Sequence, residues 1–569
     1  MFGPNLLLFR LMFPDRLRLH LRHITSAFIS AAALLITIIH TGCQPRQTLV
    51  EAARETQTLH IGNGAEPQDL DPQTTIVYTD YNILIALFEG LTVIDEATSE
   101  PIPGTASHWD ISDDGLRYTF HIRPTARWSN GDPVTAQDFV FSFQRILSPA
   151  LGAEYAYMLY AIKNAEDYNT GALTDFAQVG VRATAPLALE ITLSQPTPQL
   201  LSLAAHQAWF PVHPPTILAH GRIDQRDTRW TVPGKLTCNG PYTLKEWLPN
   251  QRIVVTRNPL YWDAALTENG NIREVVFYPT DNIAADEAAF RTGRLHLTYD
   301  ILPDRMEHYR RTAPGQLRID PLLETLFVRF NTKLKPLDDI RVRRALALAI
   351  DRESIAQQLL LGSRLPAHHY TPPNTAGYTA DARQPHDPDA ARRLLAEAGF
   401  PDGKGFPKFE IQMNTDALNS RIFEAIQAMW KRELGIETTL VSLDFRAYLE
   451  NQRTIAYQIT RSRWVGDYND PNTFLDMFIT GGGNNQTAWS NPAYDRAIAE
   501  AASATERAPR FAAFQRAEKI LLDDAPIAPV VFGARTYLIS PDVQGWPPSL
   551  LGIHRYQTVR LAKTVSSEQ

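Results

Sequence analysis

The sequence predicts an α/β protein of two or three domains, and three observations carry that reading. At 569 residues the chain exceeds what a single hydrophobic core holds. Its residues are 44% apolar and 10% aromatic, with charges spread and not in blocks, which describes a globular chain and excludes a disordered one. Segments of helical period alternate with short β-rich segments in the second half, the pattern of an α/β unit.

The N-terminus differs from the rest. Arg10, Arg16, Arg18 and Arg22 stand against Asp15 alone, and an uncharged apolar run from Ala27 to Ile39 follows, closed by His40-Thr41-Gly42-Cys43. A basic segment, an apolar run too short for a comfortable membrane span and small residues before a cut mark an export signal over 1–42. A cysteine directly after a small-residue pair resembles the lipidation site of a bacterial lipoprotein. That resemblance implies cleavage before Cys43, acylation of its thiol and attachment to a membrane surface, the alternative being an ordinary cleaved signal. Losing 1–42 removes four arginines and one aspartate, so the formal charge goes from −7 to −10, which leaves no electrostatic footprint for nucleic acid. Cys238 is the only other cysteine, so with Cys43 lipidated no disulfide framework is expected.

Along the chain, 43–57 is polar and reads as a tether. Residues 58–64, TLHIGNG, read as a strand entering a glycine turn, and Glu66 to Pro72 as an extended segment held by two prolines. A short helix over 82–88 stops at Gly90. The clean alternation of LRYTFHIR, 116–123, predicts a strand with one buried face. Asn130-Gly131 is a turn, and Thr135 with Asp138 forms a capping box for the following helix. Residues 184–194, 251–256 and 272–277 read as strands. In the second half, helices are predicted over 338–348, 352–360, from Pro388 to Gly399, and over 421–434, where Ile422, Ile426, Met429 and Trp430 share a face. Strands fall at 409–413 and 436–443. There is no repeat, P-loop, dinucleotide turn or metal-ligand cluster, and His368-His369 reads as a solvated loop, the lesser alternative being a metal ligand pair.

Four segments, in order, resemble a known family. They are EPQDLDPQTT with ALFEGL (66–75, 86–91), SHWDISDDGLRYTFHIRPTARWSNGDPVTAQDFVFSFQRILSP (107–149), NGPYTLKEW with NPLYW (239–247, 258–262), and RWVGDYNDPNTFLDMF (463–478). The chain resembles the extracytoplasmic solute-binding proteins of peptide ABC importers over about 58–560. This resemblance implies a type II periplasmic-binding-protein fold, a two-lobed flytrap with an additional inserted domain. Lobe I would comprise 58–78, 206–324 and 535–569, the inserted small domain 79–205, and lobe II 325–534. The composition shift near 330 agrees with the last boundary.

The same resemblance assigns candidate site residues. A peptide offers an ammonium, a carboxylate and backbone groups, and each must find a partner on enclosure. Asp467 matches the family's aspartate for the α-amino group, between Trp464 and Tyr468. On the residues alone it reads first as a cap of the turn into Asn469-Asp470-Pro471. Arg461 matches an arginine for the terminal carboxylate, or it makes an ion pair of the fold. Phe445 falls at an aromatic position near the peptide. Gln452-Arg453 stands where the family has two basic residues, and Asn419 where it has a histidine, which opens the ligand length. Glu66-Pro67-Gln68 corresponds to a segment that pairs with the peptide backbone as an added strand. Phe532 covers the ligand or fills the core. The family's representative joins two positions by a disulfide that are Glu324 and Val465 here, so packing is expected to fix the loop of Asp467.

Function follows as capture of oligopeptides for an ABC importer, by a monomer without cofactor or covalent chemistry. No GxSxG elbow, HExxH site or catalytic cysteine speaks for an enzyme. The same fold could instead take a murein peptide or a non-peptide solute such as a metal complex, for sensing.

Overall fold

The computed structural model describes residues 47–263, 265, 272–415, 417–504 and 506–562, so the export signal and Cys43 lie outside the described residues. Three sheets, each with its own core, organise the chain.

The first body is built on a four-stranded sheet in the order Thr58–Gly62, Glu274–Tyr278, Arg252–Arg257, Tyr242–Leu248, with the first pair parallel and the others antiparallel. Leu59, Ile61, Val255, Val275 and Phe277 form its core with Leu84 and Leu87 of the helix Tyr78–Leu87. That helix begins earlier than its periodicity suggests. It packs here and not in the inserted domain, where the expected boundary at 78/79 would put it.

The second, smaller body carries an antiparallel sheet, Ala106–Ile111, Arg117–Ile122, Ala188–Thr192 and Val181–Ala185. The alternation seen in the sequence holds: Tyr118, Phe120 and Ile122 point inward beneath Phe139, Phe143 and Ile146 of the helix Ala136–Leu147. Its Thr135–Asp138 capping box is formed. The single strand expected over 184–194 is a hairpin. Pro186 lacks the N–H a ladder needs, so Pro186-Leu187 turns between two strands. Ala208 and Trp209 belong to this core, so it extends past the expected boundary at 205/206.

The third body holds a mixed six-stranded sheet, Leu365–Pro366, Ile527–Leu538, Leu317–Phe330, Ile459–Val465, Phe409–Asn414 and Thr438–Leu443. Helices Ile340–Leu348, Pro388–Glu397 and Ala417–Leu434 cover one core, and Ile422, Ile426, Met429 and Trp430 are buried in it as the periodicity predicts. The expected helix over 352–360 is α-helical for Arg352–Ser354 and continues as a π-helix through Leu359.

Two long strands join the first and third bodies. Leu317–Phe330 and Ile527–Leu538 pair from Leu317↔Leu538 to Pro321↔Ala534, slip, and resume at Thr325↔Phe532. The slip has a local cause: Pro321 cannot donate, and the Leu323 amide donates to Leu550 O at 2.8 Å. At one end Leu297 bridges both Ile61 and Ile539, and at the other Leu326, Val328 and Phe330 enter the third core.

Two further expectations are corrected. Part of the tether is the helix Leu49–Thr56, with a Thr48–Glu51 capping box, Ala53 buried in the first core and Arg54 bidentate on Asp542. The S/T-x-x-E signal was present, and polarity masked it. His368-His369 is not solvated: His369 is buried with Nδ1 2.7 Å from Thr371 O, and half-buried His368 reaches Glu353 at 3.2 Å. No helix of the described residues is long and apolar enough to cross a membrane.

Candidate functional site

The strand Ile459–Val465 delivers the site. Its last residue, Val465, lies opposite Glu324 in the ladder, and the Gly466 amide then donates to Leu323 O at 2.7 Å. A Cβ at 466 would stand 2.5 Å from Leu323 Cδ2 and 3.0 Å from Phe474 Cε2, so any larger residue would have to displace these buried side chains. Asp467 follows, its amide donating to Thr473 Oγ1 at 3.1 Å. The turn itself is capped by Asp470, whose Oδ1 accepts from the Asn472 amide at 2.9 Å and whose carboxylate pairs with buried Arg510 at 2.8 Å. The turn-cap role open to Asp467 therefore falls to Asp470, and the Asp467 carboxylate is directed elsewhere.

That carboxylate lines a cavity of about 600 Å³ between the small body and the third body. Tyr157, Gln199 and neighbours form one wall, and Trp464, Asp467, Tyr468, Asn472 and Asp476 the other. Tyr157 Oη donates to Asp467 Oδ2 across it at a long 3.5 Å. Trp464 Nε1 is spent on Thr473 O at 2.6 Å, which leaves the indole face as wall, and Tyr468 Oη accepts from Asn472 Nδ2 at 3.2 Å. Among the described lining residues there is no lysine, arginine or histidine. Burial pushes the Asp467 carboxyl up to about 7 against the Tyr157 hydrogen bond, and burial with the nearby Asp467 charge pushes Asp476 to about 8. Chemically, the site presents two carboxyl groups whose charged forms burial disfavours.

Glu324 and Val465 are register partners, and the loop is tied by charge beside the packing that was expected alone. Glu324 is buried with Arg364 at 3.0 Å and Arg463 at 3.8 Å. Burial raises its carboxyl, and the Arg463 and Arg364 guanidiniums overcome that and hold it below the ordinary range.

The other sequence candidates lie outside this cavity's lining. Arg461 is buried in the same strand, donating through Nη1 to Asn414 Oδ1 at 3.2 Å and Tyr448 Oη at 3.4 Å. Gln452 backs it, its Nε2 donating to Arg461 O and Tyr448 Oη, each at 2.7 Å. Arg453 is exposed and paired with Glu450 at 2.6 Å. Phe445 opens the helix Phe445–Arg453, its side chain outside those described, and Asn419 is half-buried in the helix Ala417–Leu434. Phe532 is buried in the long strand, its ring 5.0 Å from that of His369. Glu66 accepts from Trp247 Nε1 at 2.7 Å and from the Asn250 amide at 3.0 Å, Pro67 is buried, and the exposed Gln68 donates its amide to Asp80. Sequence reasoning missed Tyr157, which no local motif marks, and Asp476, which sits inside the quoted RWVGDYNDPNTFLDMF but was given no role.

A cavity shared by two bodies, with long crossing strands joining the lobes, is the architecture of a type II solute-binding protein. The family model of bacterial extracellular solute-binding proteins, family 5, middle region, matches residues 100–486. The chain is 33% identical over 533 residues to the periplasmic oligopeptide-binding protein OppA of Salmonella typhimurium, spanning 92% of this chain and 94% of that protein. The solved structure of the Escherichia coli murein tripeptide binding protein MppA is similar at a TM-score of 0.77 and 33% identity, over 89% of this chain and 98% of that one. Haemophilus influenzae OppA, solved in complex with RPPGFSPFR, is similar at a TM-score of 0.75 and 30% identity, over 89% and 99%. The chain belongs to the bacterial extracellular solute-binding proteins, family 5.

Proposed function

We propose that this protein is a periplasmic receptor that captures oligopeptides by their main chain and termini and delivers them to the permease of an ABC importer. The supporting observation is Asp467: a carboxylate desolvated in a cavity between two bodies, with Tyr157 Oη at 3.5 Å and no cationic side chain among the described lining residues. A peptide's α-ammonium would supply the missing charge, and burying a paired ion costs far less than burying a lone one. Broad side-chain tolerance follows if the Glu66 amide and the carbonyls of 66–68 pair with the peptide backbone, since Pro67 has no N–H and the Gln68 amide is taken by Asp80. Arg461 is assigned the carboxylate end. From Arg461 to Val465 the strand spans about 13 Å, and Asp467 follows two residues later.

In this reading lobe I consists of 58–87, 210–324 and 535–569, the small domain of 88–209, and lobe II of 325–534. The mature protein is a monomer held to the membrane surface by acylated Cys43, and it performs no covalent chemistry.

Titration calorimetry with free and N-acetylated tripeptides tests the central assignment. Acetylation, or Asp467→Asn, is expected to weaken binding by about 2–5 kcal/mol, because a buried charge loses its partner. Equal affinity for free and acetylated peptides sinks the role of Asp467.

A further inference from the structure

Asp467 accounts for one positive charge, yet the cavity is built for more. Its lining includes four carboxylates, Glu166, Asp167, Asp467 and Asp476. Asp476 stands with Asp467 on the wall contributed by the third body, near enough for the Asp467 charge to disfavour that of Asp476. Asp476 Oδ2 accepts from Asn472 Nδ2 at 2.8 Å, and a carboxylate offers about four acceptor positions. The nearby Asp470 is already neutralised by Arg510. The groups that face Asp476 from the surrounding elements are Asp467, Asp470 and the hydroxyls of Tyr157, Tyr370, Tyr468 and Tyr494, all of them anionic or neutral. Trp464, Tyr157, Tyr160 and Tyr468 line the same space, and aromatic faces accept cations. At about 600 Å³ the cavity exceeds what an ammonium alone occupies and leaves room for a side chain.

We propose that Asp476 is a specificity residue that selects peptides whose first residue carries a cationic side chain, the α-ammonium seated on Asp467 and the side-chain ammonium or guanidinium on Asp476. This rests on the cavity being the amino-terminal site of a peptide receptor. The physical reason is electrostatic: ionising two carboxyls in one cavity is costly, a single ligand charge offsets part of that cost, and a second offsets more of it. Asp476 thereby penalises a neutral first residue and rejects an acidic one.

The test is calorimetric titration of the full-length protein with Lys-Ala-Ala, Arg-Ala-Ala, Ala-Ala-Ala and Glu-Ala-Ala, in the parent, Asp476→Asn and Asp476→Glu forms. The two cationic peptides are expected to bind about tenfold or more tightly than Ala-Ala-Ala, with Glu-Ala-Ala weakest. Asp476→Asn should bring the Lys-to-Ala ratio close to one, and Asp476→Glu should retain it. If the parent binds all four peptides alike, or Asp476→Asn leaves the ratio unchanged, the inference is overturned and peptide capture stands. If none binds, both readings fail. Should Asp476→Asn not fold, the parent's ratio is compared at about pH 8 and about pH 5. Loss of the preference in acid supports the assignment, and an unchanged ratio overturns it.

Discussion

Asp467 and Asp476 are each half-buried in the same cavity, and burial raises both carboxyls, to about 7 and about 8. Unfolded, such groups release their protons near pH 4. Between those limits the folded state binds more protons than the unfolded one, so the pair's contribution to stability falls as pH rises. Below about pH 4 both states are protonated and the contribution is fully present. Removing one carboxyl should therefore help most in base. Ligand-free Asp476→Asn is expected to melt about 2 °C or more above the parent at about pH 8, the two converging at about pH 4. Calorimetric melting across that range checks it, and a gap independent of pH would mean that Asp476 is already neutralised in the folded protein. The same logic makes Asp467→Asn a better folder in base and, if Asp467 seats the peptide ammonium as proposed, a worse binder. A binding residue held at a cost to stability is the pattern of a site built for a ligand, where a structural carboxylate such as Glu324 comes with its own arginines.

The strand Ile459–Val465 and its partner Leu317–Phe330 set where Asp467 stands, through seven register pairs ending at Glu324↔Val465. Directly opposed antiparallel residues have Cα atoms about 4.5–5.5 Å apart, inside the range a disulfide spans. The double variant Glu324→Cys, Val465→Cys is accordingly expected to oxidise in air, raising thermal stability relative to the reduced form by up to about 4–5 kcal/mol in the chain-entropy limit for so long a loop. Thiol titration and melting with and without reductant read both quantities, and the two introduced thiols staying free beside native Cys238 would refute the register. At this scale the sequence was legible where one face of an element is buried. LRYTFHIR alternates because Tyr118, Phe120 and Ile122 meet a core, and Arg421 to Leu434 repeats because Ile422 and Trp430 do. It was less legible where a local device overrides composition, as at the Thr48–Glu51 capping box and the Pro186 turn. It was silent on Tyr157, because the contact with Asp467 joins segments 310 residues apart and neither carries a mark of the other.

The whole molecule couples these residues through its two long strands. The cavity's walls come from separate bodies, and Arg510 Nη2 donating to Gln199 Oε1 at 3.4 Å and Tyr157 to Asp467 at 3.5 Å are polar contacts between them. A ligand touching both walls favours the arrangement that brings them together, whereas one with equal affinity for open and closed forms shifts nothing. The slip between Pro321 and Thr325 interrupts the ladder between the first and third bodies, so backbone rotation there breaks fewer ladder hydrogen bonds than in the paired segments on either side. If the peptide reading holds, small-angle scattering should show the radius of gyration falling when a free tripeptide saturates the protein, and remaining constant with its N-acetylated form. Melting in parallel separates closure from occupancy, since ligand at about 100 times its Kd stabilises by about 2.7 kcal/mol whether or not the lobes move. A peptide that raises the melting temperature while leaving the radius unchanged would mean that the cavity is complete before the ligand arrives. The crossing strands would then be a rigid strut, and release to a permease would have to come from contact with the permease itself.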